Sequence, residues 1–310
     1  LGLLLARELA RQGCRVAICA RDGRELERAR ESLAARGAEA VAVRCDVTRP
    51  DEVRGMVAEV EARLGPVDVL VNNAGIIVAG PVTSMSLEDF QLVMATDFWG
   101  TLHPTLAVLP SMLARGQGRI VNVTSIGGRV SMPHLVPYGC AKFAAVGLSE
   151  GLRAELSRDG IVVTTVAPGL MRTGSFLNAR FRGNVRAEYV WFSLSDSLPL
   201  VSMDAERAAR RIILAARRGE SQVTLTAAAN VLARMHGLMP GVTADLLGLA
   251  NRLLPRGEPS PSGAPSVRGM EIHAGIQSRL LRSALGLGLS AARRFHEYPG
   301  PSHEDSTQGP

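Results

Sequence analysis

The chain almost lacks lysine. Of its 35 basic residues, Lys142 is the only lysine and the other 34 are arginine. Aromatic residues are also few, at 4% of the chain with three tyrosines, so aliphatic side chains must form most of the core. An aliphatic core of this kind is typical of helices packed on a parallel sheet.

Cysteine is scarce as well. The four cysteines do not have the spacing of a metal site, so we expect no bound metal and a reduced, cytoplasmic protein: Cys14, Cys19, Cys45 and Cys140. Residues 69–87 carry no charge, but their asparagine, glycine and proline residues argue against a membrane helix. Peripheral attachment to a membrane stays open.

The net charge of +6 comes from arginines spread along the chain. The simplest interpretation of such dispersed charges is a solvated surface. A nucleic-acid binder driven by arginine is an alternative, but no known nucleic-acid-binding motif accompanies the charges. We therefore expect no nucleic-acid partner.

Short apolar segments alternate with longer helical patterns over residues 1–226. The pattern predicts strands at 15–20, 40–44, 67–71, 119–124, 161–166 and 221–226. It predicts helices at 3–12, 23–36, 50–64, 87–113, 137–157 and 204–218, with breaks at Pro104 and Pro110. Residues 170–203 show no regular pattern. This alternation indicates an α/β fold with a doubly wound parallel sheet.

The composition changes after residue 226. Residues 227–254 are expected to be a helical extension that breaks at Pro240, and 255–269 a linker rich in Pro, Ser and Gly. An amphipathic helix is expected at about 270–295, and the tail to residue 310 is expected to be disordered. We thus predict a catalytic domain at 1–226, followed by a helical C-terminal extension.

The single lysine follows Tyr138 by four residues. On a helix this spacing places both side chains on one face, about one turn apart. A nearby cation favours ionisation of a phenol that otherwise titrates near pH ~10. A tyrosine adjusted in this way is a general acid or base. The alternative is an ordinary helix pair without chemistry.

Several motifs follow predicted strands and resemble one known family. They are Val71-Asn72-Asn73-Ala74-Gly75, Val123-Thr124-Ser125 and Pro168-Gly169, with Tyr138 and Lys142 between the last two. In an open parallel sheet, ligands bind beyond the carboxyl ends of the strands, where these motifs fall. Residues 1–225 therefore resemble the short-chain dehydrogenase/reductase family, whose fold is Rossmann-like.

The resemblance implies a set of catalytic roles. Tyr138 would be the general acid or base, and Lys142 would lower its pKa and hydrogen-bond the nicotinamide ribose. Ser125 would donate a hydrogen bond to the substrate oxygen, where charge develops. Thr124, the neighbouring hydroxyl, is expected to pack at the strand end.

The resemblance also implies cofactor contacts. They would come from Gly2, Arg21, Asp46, Val47, Asn72, Asn73, Ala74, Gly75, Tyr138, Lys142, Pro168, Gly169 and Thr173. Members that use NAD usually carry an acid at the end of the second family strand, where this chain has Ala20 followed by Arg21. An arginine there can pair with a 2′-phosphate. We expect NADP(H) as the preferred cofactor and NAD(H) as the second choice. Asp22 could instead form a surface pair with Arg21, and Asp46 could instead cap a loop.

The chain departs from the family pattern in two places. Only Gly2 matches the family's glycine-rich loop, so we expect an N-terminally truncated chain that lacks the first strand and binds the cofactor poorly. The family's asparagine in the long helix is replaced by Asp97, whose charge is expected to raise the pKa of Lys142. We keep Asp97 in the expected catalytic set because its main-chain carbonyl is unchanged.

The resemblance implies an oxidoreductase that transfers a hydride between nicotinamide and a carbonyl or secondary alcohol. The aromatic residues within 170–203 favour an apolar substrate or, equally, packing of a lid. Helices 87–113 and 137–157 form the subunit contact in many relatives, so a homodimer or homotetramer is expected. The alternative function is a catalytically silent binding or regulatory protein on the same fold.

Overall fold

The computed structural model describes residues 1–197, 202–256, 266–276, 278 and 285–295. Its strands are β1 (Val16–Ala20), β2 (Ala40–Arg44), β3 (Val69–Asn72), β4 (Val78–Ala79), β5 (Gly118–Val123), β6 (Ile161–Ala167), β7 (Leu170–Arg172), β8 (Arg180–Phe181), β9 (Ser202–Asp204), β10 (Gln222–Thr224) and β11 (Val267–Arg268).

The helices alternate with these strands over most of the chain. They are α1 (Gly2–Arg11), α2 (Gly23–Ala34), α3 (Pro50–Leu64), α4 (Leu87–Val93), α5 (Gly100–Arg115), α6 (Val136–Leu156), α7 (Ser175–Asn178), α8 (Val185–Ser197), α9 (Ala205–Arg218), α10 (Ala227–Leu238), α11 (Pro240–Asn251), α12 (Gly269–Ala274) and α13 (Gly286–Arg294).

The main strands form two parallel sheets. One contains β1 and β2, and the other has the strand order β10-β6-β5-β3. Within the described residues no strand joins the two sheets. The α/β fold with a doubly wound parallel sheet is confirmed.

Helices cover both faces of the larger sheet because its strands are apolar on both sides. Val121 and Val166 pack against α1 and α9 through residues such as Leu5 and Ile212. On the opposite face Ile120 lies in a cluster that includes residues of α3, α5 and α6, namely Val57, Val108, Met112 and Leu156. The carboxyl ends of β3, β5 and β6 are thereby held at one edge of a rigid layer.

The long helix predicted at 87–113 is not broken at its prolines. Helix α5 continues through Pro104 and Pro110, and the departure from α geometry comes earlier, in a π-helical turn at Met94–Trp99. Each proline removes only one backbone hydrogen bond, and the packing of α5 against α3 offsets that loss. The π turn carries Asp97, and such turns are frequent at functional sites.

The expectation that residues 170–203 are irregular is wrong. This segment contains β7, α7, β8 and α8, and β9 begins at its end. Its order comes from distant residues: β8 pairs with β4 and with β11, and the amide of Gly269 donates to the Ala179 carbonyl at 2.8 Å. Local sequence does not encode such contacts.

The C-terminal residues form several separate elements. Helices α10 and α11 meet at Pro240, as the sequence predicts. Among its described residues, the range expected for one amphipathic helix contains α12 and α13, and residues 277 and 279–284 within that range lie outside the described residues. Residues 257–265 of the expected linker and the expected tail after 295 lie outside the described residues. Among the described residues, none of the helices has both the length and the apolar character needed to span a membrane.

Candidate active site

The expected site residues follow three neighbouring strands. Asn73, Ala74 and Gly75 come after β3, Ser125 comes after β5, and Pro168 comes after β6. Since β5 pairs in parallel with both β3 and β6, these segments meet at one edge of the sheet. The first turn of α6 adds Tyr138 to the same place.

Tyr138 lies against Ser125 and Gly127. The Ser125 hydroxyl accepts a hydrogen bond from the Gly127 amide at 3.0 Å and caps the short helix that starts at Ile126. A Cβ atom on Gly127 would lie 3.1 Å from the Tyr138 ring, so a glycine is needed for this close approach. The sequence analysis did not identify Gly127, because nothing in the local pattern reports contact with a ring eleven residues away.

Lys142 forms a buried ion pair with Asp97. Its Nζ atom lies 3.2 Å from Asp97 Oδ2, 3.4 Å from the Val123 carbonyl oxygen, and 5.6 Å from the centre of the Tyr138 ring. The Asp97 side chain is fully buried, and its Oδ1 atom accepts a hydrogen bond from the Ile76 amide at 2.8 Å. The four expected catalytic residues are therefore in one place, with the lysine held by the aspartate.

The ionisation of the three groups is coupled. Burial raises the pKa of Tyr138, and the opposing effect of Lys142 is countered by Asp97. Burial alone would lower the pKa of Lys142, but the charges of Asp97 and Tyr138 raise it. Burial also raises the pKa of Asp97. The expected rise at Lys142 is present, but the expected lowering at Tyr138 is not, because burial and the Asp97 carboxylate outweigh the lysine.

Two glycines leave room where a cofactor would approach. A Cβ on Gly75 would lie 3.2 Å from Lys142 Nζ and 3.4 Å from the Asp97 carboxylate. A Cβ on Gly2 would lie 2.9 Å from Asn73 Nδ2. Ala74 and Gly75 are exposed beside the buried ion pair. This shallow, small-residue edge fits a nicotinamide cofactor, since its backbone can be approached closely.

Asn72 and Thr124 have structural positions. The Asn72 amide donates to Asn122 Oδ1 at 2.8 Å and to Thr105 Oγ1 at 3.0 Å, inside a buried polar network. The Thr124 hydroxyl donates to the Val166 carbonyl at 2.6 Å, in agreement with its expected role at the strand end. Asn72 therefore ties strands to helix α5 and does not border the exposed edge.

Arg21 directly follows β1, which belongs to the two-stranded sheet and not to the sheet whose strand ends carry Ser125 and Pro168. Asp22 caps α2 by accepting hydrogen bonds from the Arg24 and Glu25 amides at 2.8 and 3.1 Å, so its carboxylate is engaged at the start of that helix. Arg44, at the end of β2, donates to the Arg21 carbonyl at 3.0 Å. Two exposed guanidinium groups therefore adjoin this strand end, and the sequence analysis identified only one of them.

Asp46 and Val47 lie in the loop after β2. The Asp46 carboxylate accepts hydrogen bonds from the Thr48 amide and hydroxyl at 2.9 and 2.8 Å, so it caps this loop. His103 Nδ1 lies 2.9 Å from the Val47 carbonyl oxygen, which connects the loop to α5. The structure thus holds this loop against α5.

The segment after β6 packs against the C-terminal extension. The Pro168 carbonyl accepts from the Ile126 amide at 2.8 Å, and Thr173 is buried with its hydroxyl accepting from the Ser175 amide at 3.2 Å. A Cβ on Gly169 would lie 3.2 Å from the Ala229 side chain. Helix α10 therefore starts directly beside the segment that is expected to line the nicotinamide.

The lid, which we define as residues 170–197, adds a buried carboxylate near the catalytic group. The Ser175 hydroxyl donates to Asp196 Oδ2 at 2.5 Å, and the Asp196 charge raises the pKa of Tyr138. Asp196 was not among the expected site residues, because its approach to Tyr138 depends on the tertiary placement of α8.

The lid aromatic side chains are occupied in packing. Phe176, Phe181, Tyr189 and Phe192 are buried in one cluster that also contains Ile276, Leu285 and Ala292 of the C-terminal segment. The Tyr189 hydroxyl lies 2.9 Å from His273 Nδ1. Of the two alternatives for these aromatics, the structure supports packing of the lid.

Comparison with known proteins gives matches over the same region. A sequence profile described as short chain dehydrogenase matches residues 1–181. A protein of Streptomyces coelicolor that carries the name ketoacyl reductase is 41% identical over 175 residues, which cover 56% of this chain and 67% of that protein. Across four such relatives, the chain spans 57 to 67% of the relative's own length.

Solved structures agree with this assignment. A short-chain dehydrogenase from Streptomyces avermitilis superposes with a TM-score of 0.68 at 30% identity, covering 81% of this chain and 92% of that one. A gluconate 5-dehydrogenase from Burkholderia cenocepacia, solved with NADP and tartrate, superposes with a TM-score of 0.64 at 26% identity, covering 74% and 90%. With its profile match over more than half of its length, this chain belongs to the short-chain dehydrogenase family.

Proposed function

We propose that the chain is the catalytic part of an NADP-dependent oxidoreductase that interconverts carbonyls and secondary alcohols. The observation that carries this proposal is the assembly of Tyr138, Ser125 and Lys142 at the carboxyl end of β5, around the chain's only lysine. A catalytically silent protein has no need for that arrangement. Membership of a family of dehydrogenases supports the same conclusion.

Tyr138 is the proton donor in carbonyl reduction and the proton acceptor in alcohol oxidation. Burial and Asp97 keep its pKa high, so the phenol carries its proton at neutral pH, which is the form that reduction requires. The Ser125 hydroxyl, next to Tyr138, orients the substrate oxygen by hydrogen bonding. The nicotinamide cofactor, when bound, supplies or takes up the hydride.

Asp97 acts through Lys142 as a positioning residue. It holds the ammonium group at 3.2 Å and compensates its charge inside the protein. A buried charge without a partner is costly, so this pair fixes the lysine below Gly75. The same pair weakens the effect by which the positive charge of Lys142 lowers the pKa of Tyr138.

The preference for NADP is supported by the charges at the ends of β1 and β2. Arg21 and Arg44 are both exposed there, and the adjacent Asp22 is used in capping α2. Guanidinium groups bind phosphate oxygens through charge-assisted hydrogen bonds. A similar gluconate 5-dehydrogenase was solved in complex with NADP, which agrees with this choice.

The substrate of the proposed enzyme is apolar. Ile76, Met85 and Met94 are partly exposed and pack in the cluster that contains the Tyr138 ring. These side chains, and not the buried aromatics of the lid, are available to contact a substrate carried to Tyr138. Apolar lining with a few placed polar groups is the usual character of a small-molecule site.

The enzyme forms a homodimer or homotetramer in the cytoplasm. Trp99, Leu106 and Leu113 recur at seven-residue intervals and are exposed, and Phe143 of α6 is exposed as well. Residues seven apart lie on one face of a helix, so α5 and the turn before it present an apolar stripe to a partner. The stripe lies on the two helices that the resemblance assigned to the subunit contact.

The decisive test compares turnover with cofactor binding. NADPH oxidation with apolar ketones is measured for a form preceded by the expected strand and glycine-rich loop, and for its Tyr138→Phe variant. The variant should lose about 10²–10⁴-fold in turnover while keeping NADPH affinity, because only the proton donor is removed. Tyr189→Phe, a matched loss of a hydroxyl in the lid, should stay within a few-fold of the parent.

The same assay separates the alternatives. Arg21→Ala should raise the Kd for NADPH by about tenfold and leave that for NADH unchanged, because only NADPH carries the 2′-phosphate. A catalytically silent protein would bind cofactor without turnover, and Tyr138→Phe would then change nothing. That result would overturn the proposed function.

A further inference from the structure

We infer that the helical hairpin formed by α10 and α11 docks on the surface of an anionic membrane. The hairpin covers Ala227–Leu238 and Pro240–Asn251. Each of its two helices has a single residue in the buried class, Ala229 and Thr243. Helices of this length gain most of their stability by burying an apolar face, so the hairpin lacks a covering surface in the described chain.

Exposed apolar side chains are concentrated on this hairpin. Of the fourteen large hydrophobic side chains exposed in the described residues, seven lie between positions 231 and 253: Val231, Leu238, Met239, Val242, Leu246, Leu249 and Leu253. Single exposed leucines are normal on protein surfaces, but a contiguous group marks an interaction site.

The arrangement of these side chains fits insertion into a lipid layer. Val242, Leu246, Leu249 and Leu253 follow a spacing of four, three and four, so they form one stripe along and just beyond α11. At the tip, Leu238 is 81% exposed, and Met239 and Val242 are each 50% exposed. Exposed apolar side chains gathered where the two helices join can enter the acyl boundary of a lipid layer.

The charge of the hairpin selects an anionic surface. Residues 227–256 contain three arginines and one carboxylate, and all four side chains are exposed: Arg234, Arg252, Arg256 and Asp245. Anionic headgroups attract arginines that flank an apolar stripe, and three arginines against one carboxylate give the hairpin the matching sign of charge. The net charge of +6 on the whole chain acts in the same direction.

The hairpin also stands next to the proposed reaction site. Thr226 caps α10, and a Cβ on Gly169 would touch the side chains of both Thr226 and Ala229. Docking of the hairpin would therefore place the segment after β6 close to the lipid surface. The docking itself does not depend on the proposed reaction and is measured without it.

The test is flotation of the 310-residue chain with phosphatidylcholine vesicles and with vesicles that contain about one third phosphatidylglycerol. We expect binding to the anionic vesicles that weakens as salt is added. Leu238→Ser with Leu249→Ser should lower the bound fraction by at least about tenfold, because two large side chains no longer enter the lipid. Val82→Ser with Leu87→Ser replaces similarly exposed side chains elsewhere and should bind like the parent.

Two further variants keep the result interpretable if the double variant misfolds. Arg234→Glu with Arg252→Glu should reduce binding to anionic vesicles alone. In the Met239→Trp variant, the emission of the new tryptophan should shift to shorter wavelength when anionic vesicles are added. Absence of vesicle binding by the parent overturns the proposal. A second result would also overturn it. If light scattering showed that Leu238→Ser with Leu249→Ser dissociates an oligomer while vesicle binding stays unchanged, the hairpin would contact a second copy of the chain and not lipid.

Discussion

At the scale of single residues, one carboxylate distinguishes this site. Asp97 stands in the π-helical turn where the resemblance leads to an asparagine, and it is fully buried against Lys142. A neutral amide there would leave the lysine charge free to act on Tyr138. The aspartate compensates that charge, and the pKa of Tyr138 stays above its ordinary value.

Replacement of Asp97 by asparagine should therefore change the pH profile. Without the carboxylate, the positive charge of Lys142 lowers the pKa of Tyr138, so the phenol loses its proton at lower pH. The pH at which alcohol oxidation becomes effective should move to more acidic values, as should the alkaline loss of carbonyl reduction.

The matched control is Asp89→Asn. Asp89 is a second buried carboxylate, but it pairs with Arg182 at 2.9 Å and not with Lys142. Its replacement should leave the midpoints of the pH profile in place. An unchanged profile for Asp97→Asn would mean that the carboxylate does not act on Tyr138.

The sequence predicted those candidate site residues that lie together at a strand end or within one helical turn. Ser125, Tyr138 and Lys142 belong to this group, because parallel strands bring their carboxyl ends together. Gly127, Arg44 and Asp196 were missed, since their place in the site depends on contacts between distant segments. The direction of the Tyr138 pKa was also missed, because burial cannot be read from spacing.

At the scale of elements, the lid owes its order to the C-terminal segment. Strand β11 pairs with β8, and Ile276 is almost completely buried in the cluster that holds the lid aromatics. Strands and helices with strong local patterns were predicted within a few residues. The lid was expected to be irregular because its partners lie about 90 residues away in the sequence.

The lid should therefore loosen when the C-terminal contact is weakened. Ile276→Ala should lower the free energy of unfolding by about 2–5 kcal/mol, through lost burial and the cavity left behind. Hydrogen exchange of the α8 amides should accelerate more than that of the β5 amides. Leu214→Ala, at a more exposed position on α9, should cost under about 1 kcal/mol. Equal exchange rates in parent and Ile276→Ala would contradict this account.

At the scale of the whole molecule, two apolar surfaces have different positions and proposed partners. The stripe on α5 and α6 faces another copy in the proposed oligomer, and the hairpin of α10 and α11 faces lipid. The first surface lies on the helices that the resemblance assigned to the subunit contact, whereas membrane attachment was left open in the sequence. Periodicity shows that a helix has an apolar face but not what covers it.

A single charge should separate the subunits. Leu106→Asp places a carboxylate in the middle of the α5 stripe, where desolvation in a subunit contact is unfavourable. Light scattering should show a drop in mass to that of one chain, while Leu87→Asp, at another exposed position, should keep the parent mass. If Leu106→Asp left the mass unchanged, the α5 stripe would not be the subunit contact, and that contact would lie on a different surface.

The composition has a practical consequence for the chemistry of the whole chain. Lys142 provides its only side-chain amine, and that amine is buried and ion-paired. Reagents that acylate amines therefore find no reactive side chain on the folded surface. The rate at which Lys142 is acylated, measured by mass spectrometry, therefore reports how often this one buried site opens to water.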